Sequence, residues 1–342
     1  MLVFLSLYND QPEAVYQTYF GTVTGAQTNE APVKYAMKRL AERGRKLDRI
    51  IALVTQKAED TAYTIFEKSI KTEDPDIEIK SIKITDDVTV TDLLKATVDA
   101  LFPLMPDDSI IIETTGGYRN AINALTLFAR FLRYSNIKVE FSTYSNIQKK
   151  TVSDTRETDE LFDLLDAVNL FAVSGNPTGL KKFLKTVRDI PEKTAFTMAI
   201  GDFYDTILCC KMKKMDIVIE NLRHAIDGIE NAEIEAGEPK LLIFRDLVRK
   251  TVSSKMAFIR EREYLKPLIY WCLENDYMQQ AVTIVWEKMM TNPAYKRSFI
   301  SDKHFEKVRL LRNDFNHADG GELKGDFENV KSYLRDNILP NL

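Results

Sequence analysis

The sequence predicts an α/β domain followed by an all-α domain, and two observations support this fold class. The chain has 342 residues, more than one hydrophobic core of ordinary size holds, so two domains are expected. Up to about residue 150, short apolar runs alternate with helical stretches. Beyond that point the strand signals fade and helical periodicity dominates. We therefore expect domains at residues 1–150 and 151–342.

The first domain contains short apolar runs typical of buried strands, separated by amphipathic stretches typical of helices. The predicted strands are Leu2–Leu7, Arg49–Val54, Ile77–Ile84, Ser109–Glu113 and Ile137–Phe141. The predicted helices are Pro32–Arg45, Asp60–Lys71, Thr91–Leu101 and Tyr118–Tyr134, with Thr89 or Thr91 as a cap. Strands and helices in alternation indicate a parallel sheet with right-handed crossovers, the arrangement of a Rossmann-like domain.

The second domain begins after a polar and charged segment, Gln148–Glu160, which is typical of a linker. Helical periodicity then predicts Leu161–Val173, Leu180–Val187, Ala195–Lys211, Ile217–Ile229, Pro239–Val252, Tyr264–Leu273, Gln279–Met290 and Phe305–Phe315. No internal repeat interrupts this pattern. Residues 190–260 contain no motif that indicates a function.

Composition and charge narrow the class of protein. A net charge of −4 and a pI of about 5.7 argue against a protein that coats nucleic acid by bulk electrostatics. The three cysteines show no CxxC spacing, which favours reduced thiols in the cytoplasm. The apolar start lacks a basic leader, and no apolar run is long enough to cross a bilayer. We therefore expect a cytoplasmic protein with no membrane contact.

A glycine-containing loop follows the strand Ser109–Glu113 and precedes a helix. It reads Thr114, Thr115, Gly116, Gly117, Tyr118, Arg119 and Asn120. Ligands of open parallel sheets bind at the carboxyl ends of strands, and the N–H groups at a helix start favour anions. The loop is neither a phosphate-binding Walker loop nor a dinucleotide fingerprint. A tight strand-to-helix turn without a ligand explains the glycines equally well.

Two other strand ends are expected to face the same crevice. The first is Tyr8, Asn9 and Asp10, and the second is residues 143–146, which include Tyr144. Their hydroxyl, amide, carboxylate and aromatic groups add possible ligand contacts to those of the loop.

A second motif lies near the C-terminus, where Arg312, Asn313 and His317 fall within six residues. A histidine can move the proton of a ribose 2'-hydroxyl, and an arginine can stabilise the charge that builds on phosphate. Asn313 and His317 are four residues apart, so on a helix they share one face and the amide could orient the imidazole. Arg297 and His304 form a rival pair. The alternative reading is a solvated basic helix face with a surface histidine.

Together, the two motifs resemble one family. The segment from Glu113 to Asn120, inside an N-terminal Rossmann-like domain, resembles the CARF sensor domain of CRISPR-associated proteins. A helical C-terminal half that carries Arg312, Asn313 and His317 resembles a HEPN ribonuclease domain. The order is that of the ancillary ribonucleases of type III CRISPR systems, the Csm/Csx family. The segments Thr28–Val33 and Leu161–Gly175 also resemble this family.

The resemblance implies a homodimer in which two CARF domains bind a cyclic oligoadenylate, such as cyclic tetra- or hexa-adenylate. The implied ligand contacts are Tyr8, Asn9, Asp10, Thr114, Thr115, Gly116, Gly117, Tyr118, Arg119, Asn120 and Tyr144. Two HEPN motifs would form one composite site for single-stranded RNA, with Arg312, Asn313 and His317 from each chain. Cleavage would use the 2'-hydroxyl as nucleophile and need no metal or other cofactor. No stable complex with the CRISPR interference complex is implied.

Two other functions remain open from the sequence. The protein could be a ring nuclease that degrades the cyclic oligoadenylate, in which case Thr114, Thr115 or Asn9 would matter more than His317. It could also be a non-catalytic sensor whose helical half only dimerises or recruits a partner. A transcription regulator is disfavoured because no helix-turn-helix pattern is evident.

Overall fold

The computed structural model describes residues 1–6, 13–85, 89–101, 108–116, 119–135, 137–291, 302–316 and 327–341, with backbone only at residues 100, 101, 119, 302, 303, 316, 327 and 341. The chain divides into two compact units, Met1–Thr158 and Asp159–Leu342. The first is an α/β unit and the second is helical, which confirms the predicted combination of classes. The division lies eight residues after the expected boundary at residue 150.

The α/β unit is built on a sheet of eight strands. Their bounds are Leu2–Phe4 (β1), Ala14–Thr18 (β2), Gly21–Gly25 (β3), Arg49–Thr55 (β4), Glu78–Ile84 (β5), Ser109–Glu113 (β6), Lys138–Asn146 (β7) and Thr151–Asp154 (β8). The order across the sheet is β3-β2-β8-β7-β6-β1-β4-β5. All five predicted strands are present, and four of them lie in the interior of the sheet while β5 forms one edge.

The sheet is mixed, so the predicted parallel pairing is confirmed for the five predicted strands but does not extend to the whole sheet. Strands β1, β4, β5, β6 and β7 pair in parallel, whereas β2 pairs with β3, and β7 with β8, in antiparallel fashion. The β2–β3 hairpin escapes prediction because Tyr16 and Val23 are its only buried hydrophobic side chains, which leaves little apolar alternation to detect. The hydroxyl of Thr18 closes the hairpin by donating to the carbonyl of Gly21 over 2.7 Å.

The prediction of a linker at Gln148–Glu160 is wrong. Its residues 151–154 form β8, and the helix Arg156–Ser174 begins two residues later. The polar composition of β8 hid it, because Val152 is the one apolar side chain of this short strand. The segment is held by a salt bridge from the buried Arg39 to Asp154.

Helices cover both faces of the sheet. The helix Glu30–Ala41 (α1) and the helical residues 56–73, which include a π-helical segment at Glu59–Tyr63, pack on one face. Helices Val90–Leu101 and Arg119–Tyr134 pack on the other. The central strands are therefore apolar on both sides, as buried parallel strands are. Thr89 caps the helix Val90–Leu101, because its hydroxyl oxygen accepts a hydrogen bond from the amide of Asp92 over 3.1 Å. Thr89 is one of the two cap residues that the sequence predicted.

The second unit contains only helices within its described residues. Their bounds are Arg156–Ser174, Thr178–Leu184, Pro191–Leu208, Met215–Asn231, Pro239–Leu247 with a π-helical continuation Val248–Val252, Leu265–Glu274, Met278–Thr291, Asp302–Asn316 and Phe327–Tyr333 with its π-helical continuation Leu334–Ile338. Trp271 lies in the core and donates from its indole nitrogen to the carbonyl of Ala172 over 2.8 Å. No helix among the described residues has the length and apolar character to span a membrane.

Candidate functional site

A crevice is expected where the chain reverses direction across the sheet. After β1 and the β2–β3 hairpin at the far edge, the chain builds β4 and β5 on one side of β1, and later builds β6 and β7 on the other. Strands β1 and β6 are hydrogen-bonded neighbours, and the helix Glu30–Ala41, which follows β1 and the hairpin, packs on one face of the sheet, whereas the helix Arg119–Tyr134, which follows β6, packs on the other. This is the topological switch point at which open α/β sheets bind ligands. Strand β6 ends there at Glu113, directly before the predicted loop.

Asn29, the residue before α1, links three chain segments at this switch point. Its Oδ1 atom accepts hydrogen bonds from the amide and hydroxyl of Ser6, both over 3.0 Å, and from Gln27 Nε2 over 2.8 Å. Its Nδ2 atom donates to the carbonyl of Phe4 over 3.1 Å and to the carboxyl of Glu113. Three donors converge on Oδ1, so only one orientation of the amide satisfies this network. Asn29 is fully buried.

Glu113 is the partner of Asn29 and is also fully buried. Burial raises its pKa from 4.5 to about 7, although hydrogen bonds from Thr115, Asn29 and the amide of Gly116 oppose the shift. The amide of Thr115 donates to Oε1 of Glu113 over 2.6 Å. The amides of Thr115 and Gly116, which precede the helix, therefore bind an internal carboxyl group.

Gly116 is required by a close approach and not by its backbone angles. A Cβ atom at this position would lie 2.6 Å from Nδ2 of Asn29 and 2.9 Å from the carbonyl oxygen of Phe4. Both distances are shorter than real Cβ contacts, and the carbonyl belongs to the sheet backbone. The glycine therefore lets the loop pack directly on the Asn29 side chain.

The other side of the loop is fixed to β7. The amide and hydroxyl of Thr114 both donate to the carbonyl of Thr143, over 2.9 and 2.8 Å. The hydroxyl of Thr115 accepts from the amide of Ser145 over 2.7 Å. The two threonine hydroxyls that the sequence offered as ligand contacts thus hold the loop against the sheet.

Strand β7 brings further polar groups to the same edge. The hydroxyl oxygens of Thr143 and Ser145 are buried and have no hydrogen-bond partner among the residues that the structure describes. Tyr144 is 42% exposed, and strand alternation directs it to the opposite face of the sheet from its two neighbours.

The remaining predicted residues are only partly described. Tyr8, Asn9, Asp10, Gly117, Tyr118 and His317 lie outside the described residues. Arg119 is described by its backbone and begins the helix Arg119–Tyr134, with the exposed Asn120 in the first turn. Asn29 and Glu113 were missed as functional residues, although both stand in segments that resemble the family.

Arg312 and Asn313 lie side by side on the helix Asp302–Asn316, and both are half-buried. Val308 and Leu311 anchor this helix in the core of the second unit. Nη1 of Arg312 lies 3.4 Å from Oδ1 of Asn313. Nε of Arg312 is buried, and no hydrogen-bond partner for it exists within the described part of the chain. The side chain as a whole is half-buried, and the Nη groups of a guanidinium are strong donors to phosphate oxygens.

His304, from the rival pair, is engaged elsewhere. Its Nδ1 atom is 2.6 Å from the hydroxyl of Tyr333, and the two rings are tilted at a centroid distance of 5.8 Å. The ammonium group of Lys307 lies 3.8 Å from the centre of the same tyrosine ring. These contacts give His304 a packing role. Its rival partner Arg297 is outside the described residues.

The fold and the sheet edge together define an α/β domain with a preformed polar site, followed by a helical domain. No family model matches the chain, and no curated protein matches it. Among solved structures, Enterococcus italicus Csm6 bound to cyclic hexa-2'-fluoro-hexa-dAMP is similar at 10% identity and a TM-score of 0.38. The alignment covers 98% of this chain and 87% of that one. A similarity at this level supports no conclusion about the family or function of this chain.

Proposed function

We propose that this protein is an endoribonuclease that a cyclic oligoadenylate activates. The α/β unit, as a CARF domain, would bind the ring, and the helical unit, as a HEPN domain, would cleave single-stranded RNA. The observation that carries the proposal is the loop Thr114–Gly116. Buried hydrogen bonds hold it from both sides at the switch point, in a chain that also carries Arg312, Asn313 and His317.

The chemistry of the loop region fits an anionic ring with aromatic bases. The helix that begins at Arg119 directs its first amides and its positive dipole end towards the sheet edge, where phosphates are favoured. The exposed ring of Tyr144 offers a surface on which a base can stack. Because the loop is already ordered by its own hydrogen bonds, little conformational entropy is lost on binding. A symmetric ring also matches a two-fold dimer of this unit.

The helical unit supplies the reaction. His317 removes the proton of the ribose 2'-hydroxyl, and the resulting oxygen attacks the adjacent phosphorus. Arg312 stabilises the negative charge on the phosphoryl oxygens, and Asn313 orients the imidazole. The bond to the 5'-oxygen breaks as His317 of a second copy protonates it, which leaves a cyclic phosphate and a 5'-hydroxyl. One motif per chain suffices because a homodimer brings two together.

Activation is a coupling between two separate sites. The ring shifts the dimer towards its cleavage-competent state only if it binds that state more tightly than the idle one. The protein would act as a homodimer in the cytoplasm and would need no stable complex with the CRISPR interference complex, because the ring alone carries the signal.

The test uses the full-length protein and a fluorescent single-stranded RNA in EDTA, with cyclic tri-, tetra- and hexa-adenylate added separately. We expect cleavage to rise with one of these rings and to vanish in His317→Ala, while ring binding persists. His224→Ala is the control, because the His224 side chain is 70% exposed and its Nε2 atom lies 3.2 Å from a carboxyl oxygen of the exposed Glu220.

The outcomes separate the three functions. Activity that survives His317→Ala contradicts the role given to that residue. Chromatography of the ring in the same variant identifies a ring nuclease if the ring is consumed without RNA cleavage. Tight ring binding with no cleavage under any of these conditions identifies a non-catalytic sensor.

A further inference from the structure

We propose that Asn29 and Glu113 form a positioning pair, whose mutual hydrogen bond sets the Thr114–Gly116 loop and thereby the ligand-binding edge of the sheet. The inference rests on the proposed function only for the identity of the ligand. Its geometric part concerns this chain alone and is testable without any ring.

The pair connects segments that are far apart in the sequence. Asn29 bonds to Phe4, which is 25 residues away, and to Glu113, which is 84 residues away. Glu113 in turn accepts from the amide of Thr115. The end of β1, the start of α1 and the loop after β6 are therefore held by two adjacent side chains. A change in either one moves all three segments relative to one another.

The hydrogen-bond directions are determined by the surroundings. Oδ1 of Asn29 is saturated by Ser6 and Gln27, so its Nδ2 must face the carboxyl of Glu113. Every hydrogen-bond partner assigned to Glu113 is a donor: the Asn29 amide, the amide and hydroxyl of Thr115, and the amide of Gly116. None of these donors carries a charge. These hydrogen bonds favour the ionised carboxylate, whereas burial favours the protonated carboxyl and outweighs them.

Both side chains are removed from the ligand itself. Asn29 and Glu113 are fully buried, so neither touches a molecule in the crevice. They act through Gly116, which packs against Nδ2 of Asn29, and through Thr115, which leads into the helix that begins at Arg119. They are positioning residues and not contact residues.

Asn29→Asp gives the sharpest test, because it replaces the donor with an acceptor of the same shape. Two carboxyl groups then face each other, and they are compatible only while they share a proton. We expect binding of the activating ring to weaken at least about tenfold at pH 8 and to recover towards the wild-type value at pH 6. Asn29→Ala has no such proton to share, so its binding should be weak at both pH values.

The reciprocal double variant Asn29→Asp with Glu113→Gln restores one donor and one acceptor. The new amide at position 113 can donate to the aspartate while its oxygen still accepts from the amide of Thr115. We expect the double variant to bind the ring more tightly than Asn29→Asp at pH 8. If the two substitutions damaged the structure independently, their losses of ring affinity would add in the double variant. Rescue therefore distinguishes a specific pair from general damage.

Hydrogen exchange of the ligand-free protein provides the readout that does not depend on a ring. Asn29→Ala should accelerate exchange at the amides of Thr115 and Gly116 at least about tenfold, because the carboxyl that binds them loses its anchor. Asn176→Asp is the matched control. Oδ1 of Asn176 accepts from the amide of Thr178 over 3.0 Å, and aspartate retains that oxygen.

The results divide cleanly. Faster loop exchange in Asn29→Ala and rescue of ring binding by the double variant support the pair. If the wild type binds none of the rings but Asn29→Ala still exchanges faster in the loop, only the proposed function is refuted. Unchanged exchange at both amides, or a double variant no better than Asn29→Asp, overturns the pair. Circular dichroism of each variant at both pH values establishes that the folded protein is being compared.

Discussion

The loop Thr114–Gly116 and the helix that carries Arg312 use their polar groups in opposite ways. In the loop, the hydroxyls of Thr114 and Thr115 and the carboxyl of Glu113 are all bonded within the protein. On the helix, Nε of Arg312 is buried without a hydrogen-bond partner among the described residues. A buried unpaired donor costs about 1–3 kcal/mol. The comparison shows that the loop holds a fixed shape through its own hydrogen bonds, whereas the helix leaves a strong donor unsatisfied within the described part of the chain.

The largest expected effect is on the Arg312 side of this comparison. Arg312→Ala removes the group that stabilises charge on the phosphate, so we expect RNA cleavage to fall about 10²–10³-fold. Binding of the activating ring should remain within about twofold of wild type. The measurements are single-turnover cleavage and equilibrium binding.

Arg309→Ala is the control for Arg312 on the same helix. Arg309 is exposed and forms a surface ion pair with Glu306, three residues earlier. Such pairs contribute little, so cleavage should change less than about twofold. Equal losses in the two variants would show that general basicity, and not Arg312, supports the reaction.

Next in size is the pH dependence that Glu113 adds to stability. Its pKa is raised from 4.5 in the unfolded chain to about 7 in the fold, so the fold favours the protonated form. Its stabilising contribution is complete below about pH 4.5 and is lost as the pH rises through about 7. The loss is on the order of 3 kcal/mol, since each pKa unit corresponds to about 1.4 kcal/mol.

Urea unfolding of wild type and Glu113→Gln between pH 5 and pH 8 measures this contribution. The glutamine cannot titrate, so the variant should lose the part of the pH slope that Glu113 causes, whatever its stability at pH 5. Parallel slopes for the two proteins would contradict a raised pKa at this position.

Gly116→Ala tests how closely the loop packs on Asn29. The new methyl group would lie 2.6 Å from Nδ2 of Asn29, so we expect a loss of about 1–3 kcal/mol in the free energy of unfolding and weaker ring binding. Gly237→Ala is the control, because nothing lies within 4 Å of a Cβ atom there. An alanine at position 116 that leaves both stability and binding unchanged would refute the close contact.

The sequence predicted the parts of the fold that depend on local patterns. Strand β6 has the predicted bounds Ser109–Glu113 because its run of isoleucines is buried on both faces. The hairpin at residues 14–25 and the strand Thr151–Asp154 were missed because few of their side chains are buried. The sequence predicted the loop at Gly116 but not the reason why a glycine is needed there. The partner that requires a glycine is Asn29, which no local pattern links to it.

The smallest expected effect concerns His304, the histidine of the rival pair in the sequence. Tyr333→Phe removes the hydroxyl that lies 2.6 Å from Nδ1 of His304 and leaves the ring for Lys307 to contact. Because this hydrogen bond packs the helix Asp302–Asn316 and takes no part in cleavage, we expect a loss of about 1 kcal/mol in stability and less than a twofold change in cleavage rate. Urea unfolding and single-turnover cleavage measure the two quantities. A large fall in cleavage rate with stability intact would place His304 in the reaction, beside Arg312 on the same helix. The helix would then contain a hydrogen-bonded catalytic group, and its contrast with the hydrogen-bonded loop Thr114–Gly116 would be smaller.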